Sequence, residues 1–568
     1  MSSDVTPESQ VSKSRLVETH ISTLLFVDDV VYKRKRPVQT DFVDFTTLNS
    51  RRDACSREVE LNRRLAADVY LGVADVMLDG VVIDHFVVMR QLPASCRLSA
   101  ILTMPSASEE LRTIAQLIAA FHRNAATGVE IEAASGFDAV TQLWEDGMAV
   151  TSRYTGSVLD GHDSDRLARL VREYFFGRQQ LFDARVAQGC AVDGHGDLQA
   201  EDIFCCEDGP RVLDCLEFSD RLRYGDRLND VAFLAMDLER LGHLDLADAF
   251  LDVYREMTGT SWPRSLEHFY IAYRAHVRMK VACIRHDQGD QLAADAARSL
   301  HRLALAHLES GRVRLVLVGG SPGAGKTSVG RGLAAALGAV LVSSDVVREE
   351  IQPRSDFSRD RALNVGRYQP KLVDAVYQET LDRARRALSL GEHVVLDCSW
   401  LHSQHRAWAR HLASDTASVL VELRCVCVPE TAERRIADRA VEGVEHGERR
   451  GAFHVGVNAA PKTVFAAAGG PFSAAVNDFG HAVRLRRIDA GAAHFRREQT
   501  GRFQRRVADD FGVEAKARAA REQHVLRVAL NQLRRDARAL AIRRAHHNQL
   551  VQRLHVPIFL ELHGEVIQ

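Results

Sequence analysis

The sequence predicts a multidomain chain: an α+β block, then an α/β block built on a parallel sheet, then a basic tail of uncertain fold. Three observations carry this. With 568 residues, 46% hydrophobic and 26% charged, the chain can bury several cores, since one domain takes about 150 residues. At residues 313–345 the pattern turns to strand, glycine loop, helix and strand, a βαβ unit. After about residue 440 the texture changes again: residues 441–568 hold 19 Arg, 2 Lys and 9 of the 24 His, against 13 Asp and Glu. The expected segments are 1–15, 16–310, 311–440 and 441–568.

The opening "MSSDVTPESQVSKSR" is polar and places Asp4 and Glu8 before any apolar run, which is not the layout of a signal peptide. Residues 1–15 are expected to be disordered. From 16 to 310, short β-like runs alternate with long helical ones. "VVYKRKRPV" (30–38) reads as a strand, and alternation puts Lys33 and Lys35 on one face of it. "REVELNRRL" (57–65) reads as the next helix, carrying Glu58 and Glu60. "VVIDHFVVMRQL" (81–92) is β-like and "DRLARLVREYFFGRQQLFDARV" (165–186) helical. Between and after them lie "HGDLQAEDIF" (195–204), "RVLDCLEF" (211–218), "RYGDRLNDVAFLAMDLE" (223–239) and "HVRMKVACIRHD" (276–287).

The second block opens on "VRLVLVGG" and then "SPGAGKTS" (321–328). Gly320, Gly325, Lys326 and Thr327 satisfy the G-x-x-x-x-G-K-[ST] pattern between an apolar strand and a helix, the context this phosphate loop requires. Ser321, Pro322, Gly323 and Ala324 complete the loop, and Ser328 opens the helix. Glycines let backbone N–H groups close on a β-phosphate, the helix N-terminus adds positive potential, Lys326 reaches the β and γ oxygens, and the Thr327 hydroxyl ligates Mg2+. Asp345 ends the strand in "VLVSSDVVREEI" and Asp397 the strand in "HVVLDCSW", so both carboxylates are expected at the carboxyl edge of the sheet. There Asp345 would orient or deprotonate an acceptor hydroxyl and Asp397 would hold Mg2+ through water. Either acid could instead cap the following helix. Arg348, one turn after Asp345, suits an anionic or polar acceptor.

With "LRCVCVPETAERRIADR" added, residues 313–440 resemble small-molecule P-loop kinases of the gluconate, shikimate or zeta-toxin type. The resemblance implies that Asp345 contacts the acceptor and that Arg434 and Arg439 close over the phosphates. A lid and a last strand should follow Arg439, and "AVEGVEHGERRGAFHVG" matches neither.

Residues 16–310 resemble the aminoglycoside phosphotransferase superfamily, which has the protein-kinase fold. "HGDL" (195–198) matches its H-G-D-x loop. The resemblance implies that Asp197 orients the acceptor hydroxyl and accepts its proton, while His195 supports the loop. Asp202 stands where the family has a metal-binding Asn, and an anionic oxygen also suits Mg2+. Asp214 is the second metal ligand. Lys33, with Lys35 as the other candidate, pairs with the α and β phosphates, and Glu58, or Glu60, orients that lysine. Residues 87–92 form the hinge against adenine, and Asp226 and Asp230 are structural braces. Arg278 and Lys280 fall in the helical substrate lobe, as an acidic-substrate site or a surface helix.

The tandem is similar to a bacterial family of bifunctional aminoglycoside phosphotransferase and ATP-binding proteins. It implies an ATP- and Mg2+-dependent phosphotransferase with a small-molecule hydroxyl acceptor and two nucleotide sites. A nucleotide-sensing regulatory protein with one or both sites inactive is the reading from another class.

The formal net charge of -2 and pI near 6.9 make no whole-chain case for nucleic acid or an anionic membrane. The basic tail, with a helix-like run at 521–554, is read as a solvated extension rather than an RNA-binding segment, with a change of reading frame as a further source. No apolar stretch nears the ~20 residues that span a bilayer, so a cytoplasmic protein is expected. Ten scattered cysteines without C-x-x-C spacing point to buried thiols rather than zinc or disulfides. The oligomeric state stays open.

Overall fold

The computed structural model describes residues 14–19, 21–39, 43–78, 81–351, 369–445 and 484–487. The expected disordered segment 1–15, apart from its last two residues, and most of the basic tail, including 521–554, lie outside them. The described chain divides into two compact units. One runs to Val313 and takes in Arg385–His393 and Ser414–Val419; the other holds the rest.

The first unit begins with an antiparallel sheet in the order β1-β2-β3-β5-β4, made of Ser14–Glu18, Ser22–Val27, Val30–Lys35, Tyr70–Leu78 (β4) and Val81–Arg90 (β5). Burial alternates along β3, with Val31, Lys33 and Lys35 turned inward. A register slip of one residue would put both lysines in solvent. The Leu48–Ala66 helix packs on this sheet. Thr47 caps it by accepting the Ser50 N–H at 3.1 Å, and Arg51, Cys55, Glu58, Val59 and Asn62 repeat at helical spacing as its buried face.

A helical lobe follows. Its core gathers the aromatic side chains of several helices: Trp144, Tyr174, Phe175, Phe182 and Phe269 are buried, with Tyr174 stacked on Phe269 at 4.1 Å between ring centres. The helical run expected at 165–186 is two helices, Gly161–Phe175 and Gln179–Ala187, parted at Gly177 where φ is +76°. Two small hairpins complete the unit: β6 (Ala191–Asp193) with β9 (Tyr224–Asp226), and β7 (Ile203–Cys206) with β8 (Gly209–Val212). An antiparallel sheet with one packed helix, joined through β5 to a helical lobe, is the protein-kinase-like arrangement.

The second unit has the strand order β11-β12-β10-β13-β14, from β10 (Arg314–Gly319), β11 (Val340–Ser343), β12 (Val394–Asp397), β13 (Val419–Val426) and β14 (Arg484–Arg487). β10 and β11 each run parallel to β12. Leu315 to Val318 and all of β12 are buried, as strands covered on both faces must be. β14 pairs antiparallel with β13. β14 is a strand beyond Arg439; of the segment 440–456, read as matching neither a lid nor a last strand, residues up to Glu445 continue the Pro429–Glu445 helix and the rest lie outside the described residues.

No helix among the described residues is long and apolar enough to cross a membrane. Six of the ten cysteines are buried and four half-buried.

Candidate active sites

In the first unit, two lysines of one strand face converge on one glutamate. Lys33 Nζ lies 2.8 Å from Glu58 Oε1 and 2.6 Å from Asp214 Oδ1, and Lys35 Nζ lies 2.6 Å from Glu58 Oε2 and also contacts Glu217. Burial works against the charge on Lys33, but Asp214 and Glu58 outweigh it and hold its pKa well above the usual lysine value. Burial likewise opposes the Glu58 carboxylate, and the two lysines keep it below its ordinary range. Of the two candidate glutamates, Glu58 is buried, while exposed Glu60 pairs with Arg57 at 2.9 Å. Of the two lysines, Lys33 meets Asp214, whereas Lys35 is fully buried beneath it.

Asp214 stands just beyond β8 with φ +63°, a left-handed conformation that aspartate tolerates better than most side chains. Its N–H donates to Tyr70 Oη at 3.2 Å, and the next N–H, of Cys215, donates to Asn62 Oδ1 at 2.8 Å. Lys33 holds the Asp214 carboxyl below its usual range. Asp202 is drawn alongside by the Leu213 N–H, which donates to its carbonyl at 2.9 Å.

The loop between β6 and β7 carries His195, Gly196 and Asp197. Gly196 has φ +87°, which favours glycine. Asp230 braces the loop: it accepts the His195 N–H at 2.7 Å and the Gly196 N–H at 2.8 Å, and meets His122 Nε2 at 2.9 Å. From the Arg264–Asp287 helix, Arg274 Nη1 donates to Gly196 O at 3.2 Å. Burial pushes the Asp197 carboxyl up to about 6, with Arg278 pulling it down and Asp214 adding to the rise. Burial, then Asp214 and Asp197, pushes Asp202 well above the usual carboxyl range. Burial lowers His195 to about 4, so its ring is neutral near pH 7.

Asp226 departs from the expectation of a brace on this loop. It pairs twice with Arg185, at 2.8 and 2.9 Å, and caps the Arg227–Arg240 helix through the Leu228 N–H. Of the segment 87–92 expected as a hinge, Val87 and Met89 lie buried in β5, and Gln91 N–H donates to Asp29 O at 2.7 Å.

This acid group fits a divalent cation. Asp202 and Asp214 flank the β7–β8 hairpin, and their mutual repulsion is what such an ion would relieve; with two carboxylates, the remaining places would fall to phosphate oxygens and water. The set closest to a protein-only metal cluster among the described residues is instead Asp160, His162 and Asp163, at a helix start facing solvent.

In the second unit the Gly320–Thr327 loop joins β10 to the Lys326–Leu337 helix. Ser321, Pro322 and Ser328 are exposed, Gly323 and Ala324 buried, and Gly325 opens the helix with φ +87°. Lys326 Nζ donates to Ser321 O at 3.1 Å, and Thr327 Oγ1 donates to Asp397 Oδ2 at 2.7 Å. Asp397 ends β12, buried, and burial raises its pKa against the Thr327 bond. It caps no helix, since the next begins at Ser403. Thr327 and Asp397 thus offer a hydroxyl and a carboxylate at one place, a donor pair that suits Mg2+.

Asp345 is not at a strand end. β11 stops at Ser343, and Asp345 lies in the first turn of the Ser344–Ile351 helix, its side chain 86% exposed and paired with Arg348 at 3.1 Å. Arg434 is exposed in the Pro429–Glu445 helix, and its neighbour Arg435 reaches the loop instead, donating to Gly323 O at 3.3 Å. A Cβ on Gly323 would meet Ala432 O at 2.6 Å, so this helix also requires a glycine there. Arg439 lies farther along it, with its side chain outside the described residues.

Sequence reasoning missed Glu217, Arg274 and Arg435. A second lysine on the buried face of β3 was the signal for another carboxylate, and Glu217 follows Asp214 by one helical-length step. Arg274, amid the apolar run "FYIAYRAH", had to find a carbonyl or acid. Nothing separated Arg435 from Arg434 in the sequence.

Residues 315–452 match the AAA domain family. An uncharacterized protein of Mycobacterium tuberculosis is 44% identical over 427 residues, covering 74% of this chain and 86% of the relative. Among solved structures, a choline/ethanolamine kinase family protein from Mesorhizobium loti is 12% identical, covering 52% of this chain and 92% of that one at a TM-score of 0.34. The GDP complex of an aminoglycoside 2'-phosphotransferase is 14% identical, covering 53% and 94% at a TM-score of 0.35.

Proposed function

This chain belongs to the family of that mycobacterial relative, an aminoglycoside phosphotransferase-like unit in tandem with a P-loop AAA unit, and from this premise we propose that it is an ATP- and Mg2+-dependent phosphotransferase acting on a small-molecule hydroxyl, with a nucleotide site in each unit. The observation that carries the reading is the Lys33–Glu58 pair, with Lys33 on Asp214 and Asp197 nearby on its braced loop. Phosphoryl transfer asks little of a protein beyond positioning and charge.

In the first unit Lys33 leaves Asp214 for the α and β phosphates while Glu58 keeps the amine in place. Asp202 and Asp214 would hold a divalent cation, which would supply positive charge to the phosphate oxygens. Asp197 orients the acceptor hydroxyl and takes its proton as the oxygen attacks the γ-phosphorus. The proton moves to Asp197, the O–P bond to ADP breaks, and no covalent enzyme intermediate forms. In the second unit Lys326 turns from Ser321 O to the nucleotide, Thr327 and Asp397 would hold a divalent cation, and Arg434 and Arg439 lie on the helix that covers the loop. Asp345, exposed in the helix just after β11, is the acceptor-side acid there. The product stays in the aqueous phase, in keeping with a cytoplasmic enzyme.

Nucleotide titration tests the two sites. The full chain binds two ATP analogues with Mg2+; Lys33→Met leaves one site, Lys326→Ala leaves the other, and the double variant leaves none. A stoichiometry of one that Lys326→Ala alone removes would reject the first site. The nucleotide-sensing reading rests on Asp202, which adds a carboxylate where charge is already high. It predicts the same stoichiometry with no transfer to any acceptor.

A further inference from the structure

We propose that the acceptor used at Asp197 carries an anionic group, a carboxylate or a phosphate, and that Arg278 binds it. This rests on the assignment of Asp197 as the transfer site. The Arg264–Asp287 helix lies against the catalytic loop: Arg274 Nη1 donates to Gly196 O at 3.2 Å and its Nε to Asn229 O at 3.0 Å. Arg278 is one turn farther on the same helix face. It is half-exposed, and among the described residues no hydrogen bond or ion pair holds its guanidinium. Of the charges acting on Asp197, that of Arg278 is the largest. A cation thus stands one turn beyond the contact that ties this helix to the Asp197 loop.

Two carboxylates near this helix already have partners. Asp146 meets Arg221 at 3.4 Å and Gln142 Nε2 at 2.7 Å, and Asp220 meets Arg223 at 2.7 Å. Arg223 also pairs with Asp193. Asp202 and Asp214 belong to the metal. A polycationic acceptor would therefore face the charge of Arg278, whereas an anion would find a planar donor fork suited to carboxylate or phosphate.

The test uses the full chain with ATP and Mg2+ and hydroxyl acceptors in matched sets on three-, five- and six-carbon skeletons. Each skeleton is presented as carboxylate, phosphate ester, neutral polyol and amine, and ADP release that depends on Asp197 is measured. The expected result is transfer to carboxylate or phosphate members in preference to the neutral and amine ones, and which of the two acids wins names the ligand. Arg278→Gln then raises KM for the anionic acceptor roughly tenfold or more, as loss of a charge-assisted bond does, with kcat little changed. Arg278→Lys recovers part of that loss, and the thermal midpoint of both variants stays at the wild-type value. Transfer to neutral or amine members as efficient as to the anionic ones, or anionic KM values indifferent to Arg278→Gln, overturns the inference while leaving Asp197 as the transfer site. Absence of Asp197-dependent transfer in every set overturns the transfer assignment and this inference with it.

Discussion

At the residue scale the account turns on how burial sets the acids of the first site against one another. Asp197 must be ionised to receive a proton, and burial pushes its carboxyl up to about 6. The expected pH profile of kcat/KM therefore falls as pH drops through about 6, because protonation removes the base. Arg278 pulls that value down, so Arg278→Gln shifts the acid limb to higher pH; a limb that stays in place would separate Arg278 from the base. Asp202 is predicted to differ from a strict metal ligand. Burial and two neighbouring carboxylates oppose its charge, so Asp202→Asn, which keeps the oxygen and drops the charge, should cost less than about tenfold in kcat, whereas Asp202→Ala should cost roughly a hundredfold or more. Steady-state kinetics of the two variants decide this, and equal losses would show that the charge itself is needed.

At the element scale, the catalytic loop has few backbone bonds of its own and is held by Asp230 from the Arg227–Arg240 helix. Asp230→Ala leaves the His195 and Gly196 N–H groups and His122 without their buried partner, and should cost about 3 to 5 kcal/mol in a denaturant titration. A loss below about 1 kcal/mol would mean that the loop is held elsewhere. The His122 bond, against burial, keeps Asp230 below the ordinary carboxyl range. A depressed folded pKa means that this stability is present above the unfolded value near ~4 and is lost as pH falls through the folded one. Elements with strong periodicity were legible in the sequence: β3 with its inward lysines, the Leu48–Ala66 helix with Glu58 buried, and the glycine loop before Lys326. Elements decided by one local bond were not. Gly177 split an apparently continuous helix, and the chain turns into a helix at Ser344, directly after β11, where Asp345 was expected to end a strand.

At the scale of the whole molecule, the sequence order alone announced two units of different fold, because each motif sits in its own chain context: strand, lysine and HGD loop in one, βαβ and glycine loop in the other. What it could not announce were partners distant in sequence. Lys33 and Asp214 are 181 residues apart and Lys35 and Glu217 182, and only folding shows that two lysines and three acids meet in one cluster, buried at Glu58 and Lys35 and open at Asp214. Arg435 and Gly323, 112 apart, make the same point in the second unit. Local patterns name candidates, and long-range packing chooses among them.

The central claim is that the first unit transfers phosphate through Asp197. The most direct measurement is acceptor phosphorylation from γ-labelled ATP by the full chain, compared with Asp197→Ala and Lys326→Ala at matched nucleotide occupancy of the altered units. The account predicts that an accepted hydroxyl compound becomes labelled, and that Asp197→Ala lowers labelling by roughly a thousandfold or more while ATP still binds the first unit. It predicts that Lys326→Ala leaves that labelling in place. Labelling that survives Asp197→Ala and disappears with Lys326→Ala would contradict it and assign the transfer to the P-loop unit.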